Sequence, residues 1–386
     1  MRMQWARIIE VGRVIGSVQE LSCETVEAEG TGRVLKALHY LDFGLPVASG
    51  QMVMLNVTAI DLGLGTGGVA FVVPAQSFAD YRGDGGHIVK LRYTPLQREL
   101  LSVEEQASPY HDLLSDASSL DGLPVVCCLL HSQMPLVAAA IKYLDATARV
   151  VYCMTDQGAL MMSFSDVVRA CKGSGLIDAT ISCGQAMGGD MEAVNLYSGL
   201  LAARLVLQAD YAIVAIGPGV VGTATAFGHG GLAQADALNA AYALGGCPVA
   251  CLRISEADPR PRHRGLSHHS TSALGRACLA PCYVALPTDL EPEVLDELRE
   301  GIHSSGIGLR HQVVRDQSHL SEIDLRGIKP SSMGRGLADD PAFFKAASCA
   351  GIVAAGLKAR ERGQASMVET GDQSGSSNKP KNWLDE

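Results

Sequence analysis

Over the first hundred or so positions, apolar residues come in short runs, often alternating with polar ones, and each run ends in glycine or proline. That rhythm predicts strands at Arg7 to Val14, Leu21 to Ala28, Arg33 to Tyr40, Met52 to Ile60, Val69 to Pro74 and His87 to Tyr93. The breaks at Glu29-Gly30-Thr31-Gly32, Pro46 to Gly50 and Gly83 to Gly86 carry the residues that tight connections need. Six strands at this spacing predict a small antiparallel β-barrel over residues 1–100. Within it, Gly63-Leu64-Gly65-Thr66-Gly67-Gly68 reads first as a wide turn or bulge and second as a ligand loop.

Residues 101–122 are polar and acidic and read as a linker. Beyond them, over 123–362, buried strand and amphipathic helix alternate. Strands fall at Pro124 to Leu130, Arg149 to Met154, Ala179 to Cys183, Tyr211 to Ile216, Pro248 to Ile254, Cys282 to Leu286 and Gln312 to Arg315. Ser165 is expected to cap a helix over Asp166 to Lys172, and Asp190 one over Met191 to Leu207. Strands that are apolar on both faces and separated by helices predict a parallel sheet covered on two sides. A doubly wound, mostly parallel, Rossmann-like α/β domain is the first choice, with a modified (β/α) barrel as the alternative. A last Ala-rich helix runs from Pro341 to Arg362, and the polar residues 363–386 read as a disordered tail.

Charge and composition narrow the partners. The formal charge is -10, from 41 acids against 31 bases, with no basic block to track a nucleic-acid backbone and only two Trp and seven Phe to stack bases. Nucleic acid is therefore not an expected partner. No apolar run approaches the roughly 20 residues of a membrane span, and MRMQWARIIEVGRVIG lacks the apolar core of a secretory signal. The expectation is a cytoplasmic protein with no membrane partner. Eleven cysteines, an odd number and mostly inside apolar runs, read as buried free thiols. Cys247 with Cys251 and Cys278 with Cys282 have the look of a zinc clip, but read as core thiols too.

Candidate chemistry collects on one edge. Ala209 to Leu232 reads ADYAIVAIGPGVVGTATAFGHGGL, a strand emptying into six glycines. A loop without Cβ atoms can bring several N–H groups to one anion, and the helix expected from Ala233 adds the positive end of its dipole. In a parallel sheet the loops after the strands open on one side. Here those loops carry His131-Ser132-Gln133, then Thr155-Asp156-Gln157, then Ser182 to Asp190 with Glu192 and Asn195 beyond. The glycine-rich loop with Thr223, Thr225 and His229 follows, and last the insertion SEADPRPRHRGLSHHSTS from Ser255 to Ser272. Gly217, Gly219, Gly222 and Thr223 are expected to cradle an anion, with Glu192 and Asn195 beside it and Arg260 and Arg264 neutralising its charge. His268 is the expected general acid or base, Asp156 or Asp190 its orienting carboxylate, and His131 a further polar contact. Of the adjacent His268 and His269, at most one is expected to face a substrate.

Gly217-x-Gly219-x-x-Gly222 matches the dinucleotide pattern, but the first acid after the next strand, Glu256, lies 39 positions on, where about 20 are expected. A metal site from His131, Asp156, Asp190 and His268 has no spacing signature, so none is expected, and no cofactor is identified.

LGLGTGG at 62–68, GHIVKLRYTPLQ at 86–97, LHSQMP at 130–135, GGDMEAVN at 188–195, GPGVVGTATAFG at 217–228 and DPRPRHRGLSHHS at 258–270 together resemble one uncharacterised bacterial family, the domain of unknown function DUF3866. The resemblance spans roughly Met1 to Arg362 and implies no activity. The residues themselves predict an enzyme acting on a small phosphorylated or otherwise anionic substrate, with the barrel as lid or dimerisation surface of a homo-oligomer. The alternative is a non-catalytic module that senses a nucleotide or sugar phosphate.

Overall fold

A computed structural model describes residues 2–26, 32–63, 68–73, 85–94 and 96–369. The chain divides into two compact units, Met1–Gly85 with Leu91–Glu99 and Gly86–Lys90 with Leu100–Glu386.

In the first unit β1 (Met3–Ile15), β2 (Val18–Thr25), β3 (Val34–Tyr40), β4 (Met52–Asn56) and β5 (Val69–Val73) close into a barrel in the order β1-β2-β3-β5-β4. The alternating pattern sends Ala6, Ile8, Leu21, Cys23, Ala37, Leu55 and Ala70 into its interior. Two register shifts let the long β1 bend and pair with both β2 and β4. Gly16, at φ +58°, makes the two-residue turn that joins Ile15 to Val18. The barrel has five strands and not the expected six, and its β3–β5 pair is parallel. The missing strand shrinks to Ile88–Lys90 and belongs to the second unit. There Lys90 is buried with its ammonium 2.6 Å from the Ala186 carbonyl, 3.3 Å from the Ser182 carbonyl and 2.7 Å from the Glu192 carboxylate. Most of the Gly63 to Gly68 cluster, residues 64–67, lies outside the described residues.

The main sheet of the second unit has eight strands among the described residues: β6 (Pro124–Cys127), β7 (Val150–Thr155), β8 (Ala179–Cys183), β9 (Met191–Ala193), β10 (Tyr211–Ile216), β11 (Cys247–Cys251), β12 (Tyr283–Pro287) and β13 (Gln312–Asp316). They form one open parallel sheet in the order β9-β8-β7-β10-β6-β11-β12-β13, which removes the (β/α) barrel alternative. The principal helices are α1 (Met134–Leu144), α2 (Asp166–Gly173), α3 (Leu196–Leu205), α4 (Ala233–Ala243), α5 (His268–Ser272), α6 (Pro292–Ser304) and α7 (Pro341–Glu369). Tyr152, Met154, Tyr211 and Ile213 pack with α1 and α7 on one face of the sheet, and Val125, Val151, Val214 and Val284 with α3, α4 and α6 on the other. This is the doubly wound arrangement that two-sided apolar strands require.

Two local readings need correction. Asp190 does not cap a helix over Met191 to Leu207: residues 191–193 are the edge strand β9, and Asn195 caps α3 by accepting from Ser198 N at 3.1 Å. Nor does the acidic stretch 101–122 stand apart, since Val103, Leu114 and Leu120 lie in the core of the second unit. The helix α7 is long and apolar enough over Pro341–Arg360 to cross a membrane, but it is mostly buried against α1. Gly351 allows that close crossing, for a Cβ there would stand 2.5 Å from the Val137 carbonyl oxygen. Residues 370–386, most of the expected tail, lie outside the described residues.

Candidate functional site

The strand order fixes where a crevice opens. From β6 the chain steps outward through β7, β8 and β9, returns to β10 beside β6, and then passes to the other side through β11, β12 and β13. Loops leaving β10 and β11 therefore flank the end of β6 at a topological switch point, the place where open parallel sheets bind ligands.

After β11 the chain makes a two-residue ribbon, Ile254–Ser255 paired with Gly265–Leu266. The ribbon brings Ser267 back to Arg253, whose carbonyl accepts from Ser267 N at 3.0 Å. Ser267 then caps α5, its hydroxyl oxygen 3.3 Å from the His269 N–H and 2.8 Å from His263 Nδ1. Four imidazoles meet here. His229, from the end of the glycine-rich loop, stacks on His269 with ring centroids 3.8 Å apart; His268 lies 4.4 Å from His269 and 4.8 Å from His263. The first turn of α5 carries both His268 and His269 into one cluster, His269 buried and His268 half-buried.

Beneath the imidazoles lies a knot of opposite charges. Arg253, almost wholly buried, places Nη1 3.3 Å from His269 Nδ1 and Nη2 3.3 Å from Asp258. Asp258, equally buried, also takes Arg260 through two contacts at 2.8 and 2.9 Å and Arg335 at 3.4 Å. Arg335 reaches Asp340 at 3.1 Å, and Ser255 donates to Asp340 at 2.6 Å. Three guanidinium groups against two carboxylates leave the knot positive. Burial raises the Asp258 carboxyl, but the Arg260 hydrogen bonds and charge outweigh this and hold it well below the carboxylate range.

The same environment keeps the imidazoles neutral. Burial, reinforced by Arg253 and Arg260, pushes His263 down to about 3. Burial, with His229 and Arg253, pushes His269 down to about 2. His229 and His268 are lowered by burial as well, the Ala226 carbonyl opposing the shift at His229 without meeting hydrogen-bond geometry. Ring nitrogens of His263, His268 and His269 lie within 4.8 Å of one another, close enough to suggest metal ligation. The charges point the other way. A guanidinium only donates, so His269 Nδ1 must accept from Arg253 and the ring's proton sits on Nε2, as a donor suited to an anion. Neither ring nitrogen of His229, nor Nε2 of His268, has a partner among the described residues.

One stability consequence follows directly. His131, buried and pushed down to about 4, behaves like His263 and His269. All three titrate near 6.5 in an unfolded chain, so below that pH the unfolded state binds protons the folded state refuses. Their contribution is whole above about pH 6.5 and is lost as pH falls, by up to about 2 kcal/mol per histidine at pH 5. Denaturant unfolding at about pH 7 and pH 5 measures it; equal free energies would show that these rings are not held neutral.

The remaining sequence candidates scatter. His131 is fully engaged, with Nε2 2.7 Å from Ser165 Oγ and Nδ1 near the Tyr152 hydroxyl (3.0 Å) and the Ile216 carbonyl (3.2 Å). Asp156 accepts from Gln185 N at 2.9 Å and ties together the loops after β7 and β8. Asp190 belongs to the wrong end of the sheet: it accepts from Thr180 N and Oγ1 at the start of β8 and pairs with Lys172. Glu192 holds Lys90, Ser182 and Gly188 N, and Asn195 caps α3. Within the glycine-rich loop the glycines divide their tasks. Gly217 packs so tightly on the loop after β7 that a Cβ would stand 2.1 Å from the Ala159 carbonyl oxygen. Gly219 takes φ +91°, and a Cβ on Gly222 would come within 3.4 Å of His269 Nε2. Thr223 closes the loop on itself through Gly228 and Thr225. Arg260 joins the charge knot, whereas Arg264 is exposed. The sequence reading gives no role to Arg253, Asp258, Arg335 and Asp340, which complete the site; it does place His229, His263 and His269 in the polar loops of this edge.

Comparison with known proteins adds one match. A family model described as "Protein of unknown function (DUF3866)" covers residues 36–351, well over half of the chain. No curated protein and no solved structure matches.

Proposed function

Since the chain belongs to the DUF3866 family of proteins of unknown function, we propose from its own residues that it is an enzyme. It acts by general acid–base catalysis on a small phosphorylated or otherwise anionic substrate, bound at the C-terminal edge of the parallel sheet. The observation that carries this reading is a cluster of four neutral imidazoles, three of whose nitrogens lack partners among the described residues, joined through Arg253 to a carboxylate shared by three guanidinium groups. Buried nitrogens without partners are costly, and oxygens of a bound molecule would satisfy them.

The roles follow from what each group can still do. His269 Nε2–H, set by Arg253, donates to an oxyanion. Gly222 leaves room above it that a side chain would narrow. Arg260 and Arg253 supply positive charge without needing a proton, since guanidinium stays ionised across the working range. His268, half-buried and with Nε2 unpartnered, is the group best placed to give or take a proton. Arg253, held by Asp258, positions His269, where the sequence reading looks to Asp156 or Asp190 to position His268.

A thermal-shift screen against inorganic phosphate, pyrophosphate, nucleotides, sugar phosphates and dicarboxylates tests the substrate class. An anion at a hundred times its dissociation constant should add about 2.7 kcal/mol to the folded state. The reading expects a rise in melting temperature that Arg260→Gln abolishes. If no anion shifts the folded parent, the anionic substrate is ruled out.

A further inference from the structure

A second cluster lies apart from these imidazoles, in the core on the α3, α4 and α6 face. Cys278, Cys282 and His311 are all buried, and one ligating atom from each lies within 4.8 Å of the other two. His311 Nε2 is 2.9 Å from the Leu274 carbonyl, which can only accept, so that nitrogen carries the proton. The lone pair is left on Nδ1, which is buried and has no partner among the described residues. A neutral imidazole held by a backbone carbonyl through its far nitrogen is how metal-bound histidines are oriented.

The pair Cys278-x-x-x-Cys282 has zinc-clip spacing but lacks a third ligand in its own segment. The fold supplies it from 29 positions further on, by placing the start of β13 beside the start of β12. Asn239 Oδ1, 3.8 Å from Cys278 Sγ, is a further oxygen at the cluster. Cys247 and Cys251, which share the same spacing, have no such histidine among the described residues.

We propose that Cys278, Cys282 and His311 bind a thiophilic divalent cation, Zn²⁺, which ties the segment following α5 to the starts of β12 and β13. Each thiol gives up its proton to solvent as its sulfur binds, so two thiolates offset the charge of one divalent cation and the buried unit is neutral. The clamp lies outside the crevice but anchors the far end of the segment that starts at His268 and His269, through the turn Ala273–Ala277.

Cobalt reads the site independently of any activity. Reduced, chelator-treated full-length protein titrated with Co²⁺ without oxygen is expected to bind one equivalent with a thiolate-to-cobalt charge-transfer band that Zn²⁺ then displaces. Cys278→Ser and Cys282→Ser, near-isosteric changes, should each remove the band, while the His263→Ala/His268→Ala double variant should keep it. Circular dichroism of each variant separates loss of the site from loss of the fold. No such band in the folded parent would overturn the proposal, as would a band that survives both serine variants or a Cys278–Cys282 disulfide in protein prepared without oxidant.

Discussion

A His268→Gln variant is expected to turn over the proposed anionic substrate about 10²- to 10⁴-fold more slowly than the parent while its binding of that substrate is kept. Glutamine nearly fills the space of the imidazole and can still hydrogen-bond, but cannot carry a proton between substrate and solvent. The other three rings are less free to do so. His263 has one nitrogen on Ser267, His269 has one on Arg253, and His229 is buried under the face of His269. His268 is the half-buried member, and burial, followed by the neighbouring His229 ring and the charges of Arg262 and Arg253, lowers its pKa, so at neutral pH it rests as a base. The split between kcat and KM decides the point: kcat should fall with KM little changed, and the limb of the pH profile that reports this base should disappear. Equal turnover in the variant would move proton transfer to another group. A parent that binds an anion tightly and converts none of the compounds offered would favour the sensing module over the enzyme.

The sequence makes the elements legible where a local pattern causes them. Tyr211 to Ile216 is apolar at every position because both faces of β10 are covered, and its bounds are read without error. Met191–Ala193 is missed for the opposite reason: three residues after an aspartate look like the first turn of a helix, and only pairing with Ile181 to Cys183 makes them a strand. The edge that bears the candidate site stands out by the polarity of successive loops, but polarity does not show which way a side chain turns. His131 and Asp156 lie in the right loops and spend their hydrogen bonds on holding them. Lys90 reads as part of a barrel strand and is buried instead among acceptors more than 90 positions away. The charge knot is the least legible feature. Asp258 meets Arg335 across 77 positions, and no spacing rule links a residue of the β11 insertion to one that follows β13.

Asp258→Asn is expected to cost about 3–5 kcal/mol of folding free energy, the usual result when a buried charge loses its partner. The substitution keeps shape and removes charge, so the loss reports electrostatics and not packing. Its main victim is Arg253, which burial pushes down to about 10 and which therefore stays ionised at neutral pH with almost no exposure to water. Asp340, 3.1 Å from Arg335, is left as the one carboxylate in the knot's hydrogen-bond network. Adding Arg253→Met removes the stranded cation, and the double variant should recover part of the lost stability, a non-additivity that a double-mutant cycle measures. The surplus of guanidinium in Asp258→Asn also makes the crevice a stronger anion site. Inorganic phosphate should then raise the melting temperature of this variant by more than that of the parent, in effect standing in for the missing carboxylate. An Asp258→Asn protein as stable as the parent, with no recovery on adding Arg253→Met, would mean that the buried arginine is balanced elsewhere and that the knot does not set the charge of the site.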